Sequence, residues 1–250
     1  DLLDWEACEE LLKEIDVLIH FASNTKWDSD SPQDVLKENT SMDMNLFQAA
    51  ANSGCSRIIF SSSIQVCNGQ LPVGDRAIHE IVLPYIPIDS DMPTLARNGY
   101  SLSKQIGENL LNYFSDTKGM TCIAVRFPLL LDSTLLAKTK EMGGLERGNC
   151  YDGFAYLPIY SAAEVAVKAI TAELSGYRQY FVSSKDNLEQ RPAREVIEEQ
   201  LSDIPSKIPL EEMDSLVDCS KVEAELGWEQ PRTLEESLEA YGRLAEVAPY

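Results

Sequence analysis

Asn98-Gly99-Tyr100-Ser101-Leu102-Ser103-Lys104 opens a helical run, Leu102 to Phe114, in which Ile106, Leu110, Leu111 and Phe114 recur at helix spacing. Tyr100 and Lys104 stand four apart, so at the start of a helix they point out from one face. A phenol near a fixed ammonium is a candidate acid–base pair. The positive charge favours phenolate and draws the pKa down from about 10 toward the working pH, as a general base or acid needs. Taken alone, a Tyr and a Lys at this spacing are equally an exposed pair on a solvated face. The segments around them decide between the two.

Upstream, Leu2 to Glu14 carries a helical pattern that leads into Asp16-Val17-Leu18-Ile19-His20-Phe21-Ala22-Ser23. That apolar run ends in small residues, as a buried parallel strand does before a loop. A long helix is expected from about Gln33 to Asn52, ended by Gly54. Arg57-Ile58-Ile59-Phe60 then reads as a second buried strand running into Ser61-Ser62-Ser63. The segment from Cys67 to Arg97 has four prolines and little periodicity, which marks a loop over a site. Downstream of the Tyr100 helix come a strand at Thr121 to Phe127, a strand–helix pair at Tyr156 to Tyr160 and Ser161 to Leu174, and a final strand at Gln179 to Val182. Strands alternating with helices, with the strands mostly apolar, predict an α/β fold with a parallel sheet covered on both faces. From Lys185 the character shifts to acidic amphipathic helices separated by Pro192, Pro205, Pro209 and Pro231, a smaller second lobe.

The 250 residues suffice for one large domain or two small ones with a real core. Asp and Glu number 41 against 21 Lys and Arg, a net charge of −20, and such a surface repels phosphate backbones and anionic membranes. Nucleic acid and membrane are therefore excluded as partners. Cys8, Cys55, Cys67, Cys122, Cys150 and Cys219 show no paired spacing and read as reduced core thiols. With His20 and His79 the only histidines and no clustered ligands, no metal site is expected. No apolar run approaches ~18 residues and no signal peptide is visible, so the default location is the cytoplasm. His20 reads as a satisfied core histidine, His79 as surface decoration over the site, and Trp228 as packing. Arg147, Arg191 and Arg194 could grip a diphosphate, but in so acidic a lobe they read as internal ion-pair partners.

With strand, loop and helix in place, the sequence resembles the extended short-chain dehydrogenase/reductase family, the group of NAD-dependent nucleotide-sugar epimerases and dehydratases. Five pieces carry the resemblance. Asp16 to Ala22 resembles the family's fourth strand and its cofactor-contacting turn. Asn39 matches the Asn that supports the active site, and Ser61-Ser62-Ser63 matches the serine run whose third member is the catalytic hydroxyl. Tyr100 and Lys104 match the Tyr-x-x-x-Lys pair. Lys221-Val222-Glu223-Ala224-Glu225-Leu226-Gly227-Trp228 resembles the K-x-x-x-x-L-G-W signature of the C-terminal lobe. All five occur in the family's order, with Tyr100 37 positions after Ser63.

The resemblance implies a Rossmann-like doubly wound sheet over residues 1–130 and 156–182, and a smaller C-terminal α/β substrate lobe over 131–155 and 183–250. It implies Tyr100 as acid–base, Lys104 on the nicotinamide ribose, Ser63 on the substrate oxygen and Asn39 in support. Asp1 and Leu2 would lie beside the adenine, and Phe21, Ala22 and Ser23 along the pyrophosphate and ribose. Ser61, Ser62, Phe127, Pro128 and Leu130 would complete the binding site for NAD or NADP. A homodimer through the helices at Gln33 to Asn52 and Leu102 to Phe114 is implied too.

The departures narrow the activity. The glycine-rich phosphate loop that should follow the first strand is absent, and Gly143-Gly144-Leu145-Glu146-Arg147-Gly148 stands past the catalytic helix and reads as a turn. An N-terminal βαβ portion of roughly 50–60 residues is therefore expected upstream of Asp1. Beside Ser63, Ile64-Gln65 replaces the Asp-Glu pair of the dehydratases, so no carboxylate is there to eliminate water. Val66-Cys67-Asn68 replaces Val-Tyr-Gly. Arg126-Phe127-Pro128-Leu129-Leu130-Leu131 lacks the family's Asn and Gly-Pro, and Met42 stands in place of Gly. The leading expectation is an NAD(P)-dependent nucleotide-sugar epimerase or keto-reductase. A reductase of a small carbonyl compound, and a retired cofactor-sensing or scaffold protein on the same fold, are the alternatives.

Overall fold

The computed structural model of the protein describes residues 1–26, 28–68, 83–143 and 154–247, with only the backbone described at 68 and 245–247. In chain order its elements begin α1 (Trp5–Leu11), β1 (Val17–His20), α2 (Pro32–Ser53), β2 (Arg57–Ser63), α3 (Gln65–Asn68), α4 (Gly99–Lys118) and β3 (Thr121–Phe127). There follow β4 (Leu129–Leu131), α5 (Ser133–Glu141), β5 (Tyr156–Pro158), α6 (Ile159–Thr171) and β6 (Tyr177–Phe181). The chain closes with α7 (Ala193–Gln200), α8 (Ser220–Leu226) and α9 (Leu234–Val247). Two units divide it: Asp1–Ile78, Pro93–Arg126 and Ala169–Tyr180 form one, and His79–Met92, Phe127–Lys168 and Phe181–Tyr250 the other.

The first unit is built on a parallel sheet of order β1-β2-β3-β6. β1 and β2 pair with Val17 opposite Arg57 and His20 opposite Phe60. Ile58, Ile59 and Phe60, like Cys122 to Val125, are buried on both faces of the sheet, which is why these strands read as continuous apolar runs rather than alternating ones. Pro32 starts α2 where a missing N–H costs nothing. Gly54 at φ +83° and Gly119 at φ +67° end α2 and α4 in the left-handed conformation that a side chain resists. Phe47 of α2 meets Phe60 of β2 and Phe114 of α4 edge to face, with centroids 5.7 and 6.2 Å apart, a geometry worth about 0.5–1.5 kcal/mol per pair beyond area burial.

Gly107 lets α4 close onto this core. A Cβ there would stand 2.6 Å from Phe60 Cζ and 2.9 Å from Asp43 Oδ2. Gly107→Ala is therefore expected to destabilise the fold. Overpacking costs about 1–3 kcal/mol, against a helix-propensity gain of about 1 kcal/mol. A lower urea midpoint at unchanged slope is the result that checks it.

In the second unit β4 and β5 form a separate parallel pair, with Leu129 opposite Tyr156. This corrects the expectation that the strand at Tyr156 joins the main sheet: β4 was not anticipated, and it takes β5 as its partner. Residues 127–168 accordingly fall in the second unit, and the stretch that joins the first is Ala169–Tyr180. The last strand of the main sheet starts two residues before its expected position, at Tyr177. The proline-rich segment is not wholly a loop, since Ile86 and Ile88 make parallel bridges to Ser206 and Val217. Trp228 is buried and its indole N–H donates to Ser161 Oγ at 3.2 Å, the packing role expected of it.

Candidate active site

β2 ends in Ser61-Ser62-Ser63, and the first turn of α4 sets Tyr100 and Lys104 beside that end. A capping box fixes the turn: Asn98 Oδ1 accepts from Ser101 N at 2.7 Å, and Ser101 Oγ accepts from Asn98 N at 3.0 Å. Lys104 Nζ donates to the Ser61 carbonyl at 2.8 Å, 4.7 Å from the centre of the Phe60 ring and 5.8 Å from that of Tyr100. The half-buried Tyr100 phenol lies beside the Ser63 hydroxyl, whose Oγ accepts from Gln65 N at 3.2 Å. Asn39 ties α2 into the cluster. Its Nδ2 donates to Ser103 Oγ at 2.9 Å, and that hydroxyl donates to the Tyr100 carbonyl at 2.7 Å. Asn39 also exchanges hydrogen bonds with the backbone of Asn24, at 2.7 and 2.9 Å.

Burial raises the Tyr100 phenol above its ordinary range, and the neighbouring Ser63 hydroxyl works against that rise. Burial also lowers the Lys104 ammonium to about 8, with the Asp43 carboxylate opposing. The expectation that Lys104 draws the phenol down is thus not met. The ammonium is directed at the Ser61 carbonyl rather than at the phenol oxygen, and desolvation wins. The phenol is therefore protonated near neutral pH, and burial makes it a weaker proton donor than a free tyrosine.

The model of the NAD dependent epimerase/dehydratase family matches residues 1–131. The chain belongs to this family. It is 27% identical over 127 residues to a uronate dehydrogenase of Pseudomonas syringae pv. tomato, covering 50% of this chain and 41% of that protein. To an L-arabinose 1-dehydrogenase (NAD(P)(+)) of Haloferax volcanii it is 26% identical over 136 residues, 52% of this chain and 51% of that protein. The chain spans about half the length of the curated relatives it matches. Among solved structures, the UDP-glucose 4-epimerase of Thermotoga maritima superposes with a TM-score of 0.67 at 17% identity, over 98% of this chain and 84% of that one. That likeness establishes the Rossmann-type α/β fold of the family.

Of the residues that the resemblance singles out, Ser61, Ser63, Tyr100, Lys104 and Asn39 come together as described. Ser62 points elsewhere, donating to Glu108 Oε1 at 2.6 Å in the core. Phe21 and Ala22 are exposed after β1, with Ser23 half-buried. Asp1 caps the next turn through Leu3 N at 3.0 Å, and the Leu2 carbonyl accepts from Asn45 Nδ2 at 3.0 Å. Phe127, Pro128 and Leu130 fall in the second unit. His79 and Arg147 lie outside the described residues. His20 is buried with Nε2 2.9 Å from Asp43 Oδ1. Arg191 pairs with Glu189, Glu195 and Glu199, and Arg194 with Glu198.

Sequence reasoning missed Asp43 and the buried Glu108–Arg126 pair, in which Glu108 accepts from Arg126 Nε at 2.9 Å and from its terminal nitrogen at 2.8 Å. The signal was present in helix spacing: Asp43 stands four after Asn39, and Glu108 four after Lys104.

Proposed function

We propose that the protein transfers a hydride between NAD(P) and a sugar, with Tyr100 moving the accompanying proton. The observation that carries this reading is the gathering of the Tyr100 phenol, the Ser63 hydroxyl and the Lys104 ammonium, whose Nζ lies 5.8 Å from the Tyr100 ring centre. The cofactor, when bound, supplies the acceptor or donor of the hydride. The chain's residues suit it. Phe21 to Ser23 follow the carboxyl end of β1, and Ser61 to Ser63 form that of its parallel neighbour β2, where open α/β sheets take dinucleotides. Lys104 uses one N–H on the Ser61 carbonyl and has two more for ribose hydroxyls. Asp1 and Leu2 would serve the adenine.

Ser63 would hold the substrate oxygen that receives or releases the Tyr100 proton. Asn39, through Ser103, fixes the backbone of Tyr100 and so its reach. Ile64-Gln65 offers no carboxylate to remove water, and the Gln65 side chain already accepts from Asn98 Nδ2 at 3.2 Å. Oxidation or reduction at a sugar carbon therefore fits the site better than dehydration.

A free sugar or uronate leads as substrate, because the curated relatives are named for such substrates. Epimerisation of a nucleotide sugar is the second reading, favoured by the epimerase fold. A homodimer through α2 and α4 accompanies either one, supported by exposed Met44, Leu102 and Tyr113. The free, buried thiols of Cys8, Cys55, Cys67, Cys122 and Cys219 support a cytoplasmic setting.

The test is the full protein with NAD+ or NADP+ and a panel of pentoses, hexuronates and nucleotide sugars. NAD(P)H formation with a free sugar or uronate is the expected result. Interconversion of nucleotide sugars without net reduction would select the second reading. No turnover and no cofactor binding would overturn both.

A further inference from the structure

We propose that Asp43 is a positioning residue of this active site, a buried carboxylate that keeps the Lys104 ammonium charged where it faces Tyr100. The proposal rests on the reading of Ser63, Tyr100 and Lys104 given above. Asp43 lies on α2, buried, with Oδ1 2.9 Å from His20 Nε2 of β1. Its other oxygen, Oδ2, is buried without a hydrogen-bond partner among the described residues. A carboxylate oxygen in that position costs free energy unless a nearby charge answers it.

Phe60 shows where that charge is. A Cβ on Gly107 would stand 2.6 Å from the edge of the Phe60 ring and 2.9 Å from Asp43 Oδ2. Lys104, three residues earlier on the same helix, holds its Nζ 4.7 Å from the centre of that same ring. Asp43 Oδ2 and the Phe60 ring edge thus border the same Gly107 position, and the Lys104 ammonium stands over that ring without an ion-pair contact to Asp43 among the described residues, inside a core where water screens little. Consistent with this, the Asp43 charge opposes the loss of the Lys104 proton that burial promotes.

The other groups around Lys104 leave this role to Asp43. Tyr100, on the same helix, is neutral and lies beside Ser63. β2 offers the Ser61 carbonyl and the Phe60 ring. Asn39, one turn before Asp43 on α2, is uncharged. Glu108, one turn after Lys104, is engaged by Arg126 and Ser62. His20 faces Asp43, with Nε2 2.9 Å from Oδ1.

The experiment is competitive acetylation of Lys104 in the full protein between about pH 6 and 10, read by mass spectrometry against exposed lysines. Wild type is compared with Asp43→Asn and Asp43→Ser, and neither substrate nor turnover is needed. The expected wild-type midpoint is about 8, moving down by about one unit in both variants. Unchanged midpoints in folded variants overturn the proposal and leave the Tyr100 reading standing. Failure of both variants to fold makes Asp43 a structural residue and also overturns it. Unchanged turnover in Tyr100→Phe is the separate result that removes the reading itself.

Discussion

Tyr100→Phe is expected to lower turnover of the full protein by about 10²–10⁴-fold, the usual worth of a positioned general acid or base, while NAD(P)H still binds. The change deletes one oxygen, and with it the proton that must accompany the hydride. Lys104 keeps its bond to the Ser61 carbonyl, so the group assigned to the ribose stays in place. The capping box at Asn98 and Ser101 does not involve the phenol, so α4 starts as before. Loss of one half-buried hydroxyl costs about 1 kcal/mol of stability, too little to unfold a core of this size. Steady-state rates at 340 nm and NADPH fluorescence on the same variant separate the two effects. Wild-type turnover in this variant would remove Tyr100 from the chemistry and with it the reading of the site.

Arg126→Met is expected to destabilise the protein by about 3–5 kcal/mol, the cost of leaving one member of a buried ion pair behind. Glu108 would lose both guanidinium bonds, at 2.9 and 2.8 Å, and retain only the Ser62 hydroxyl at 2.6 Å. Both side chains are nearly inaccessible, at 1% and 5% exposure, so water cannot replace the lost partner. The double variant Glu108→Leu with Arg126→Met is expected to recover much of the loss, because a matched apolar pair carries no desolvation penalty. Urea unfolding of the two single variants and the double variant completes the cycle. A loss below about 1 kcal/mol in Arg126→Met, the level of an exposed pair, would contradict a dry, buried bridge.

Much of the first unit was legible because its signals are local. Apolar spacing together with Gly54 and Gly119 located α2 and α4, and continuous apolar runs located β1, β2 and β3. Tyr100 and Lys104 were legible for the same reason, being four apart on one helix. What stayed hidden depends on partners distant in sequence. A three-residue run such as Tyr156 to Pro158 looks alike whichever sheet accepts it, and its pairing with Leu129 to Leu131 has no local mark. Asp43 reads as an ordinary polar helix position until His20 and Gly107 are placed against it. The rise in the Tyr100 pKa was likewise out of reach, since it follows from burial and from where the Lys104 ammonium points, and spacing fixes neither.

A structure of the full protein crystallised with NAD+ tests the central claim most directly. The expected result places the nicotinamide ribose against Lys104 Nζ, with the Tyr100 hydroxyl and Ser63 Oγ turned toward the nicotinamide carbon that exchanges hydride. A dinucleotide bound away from these three side chains, or none at saturating concentration, would contradict it.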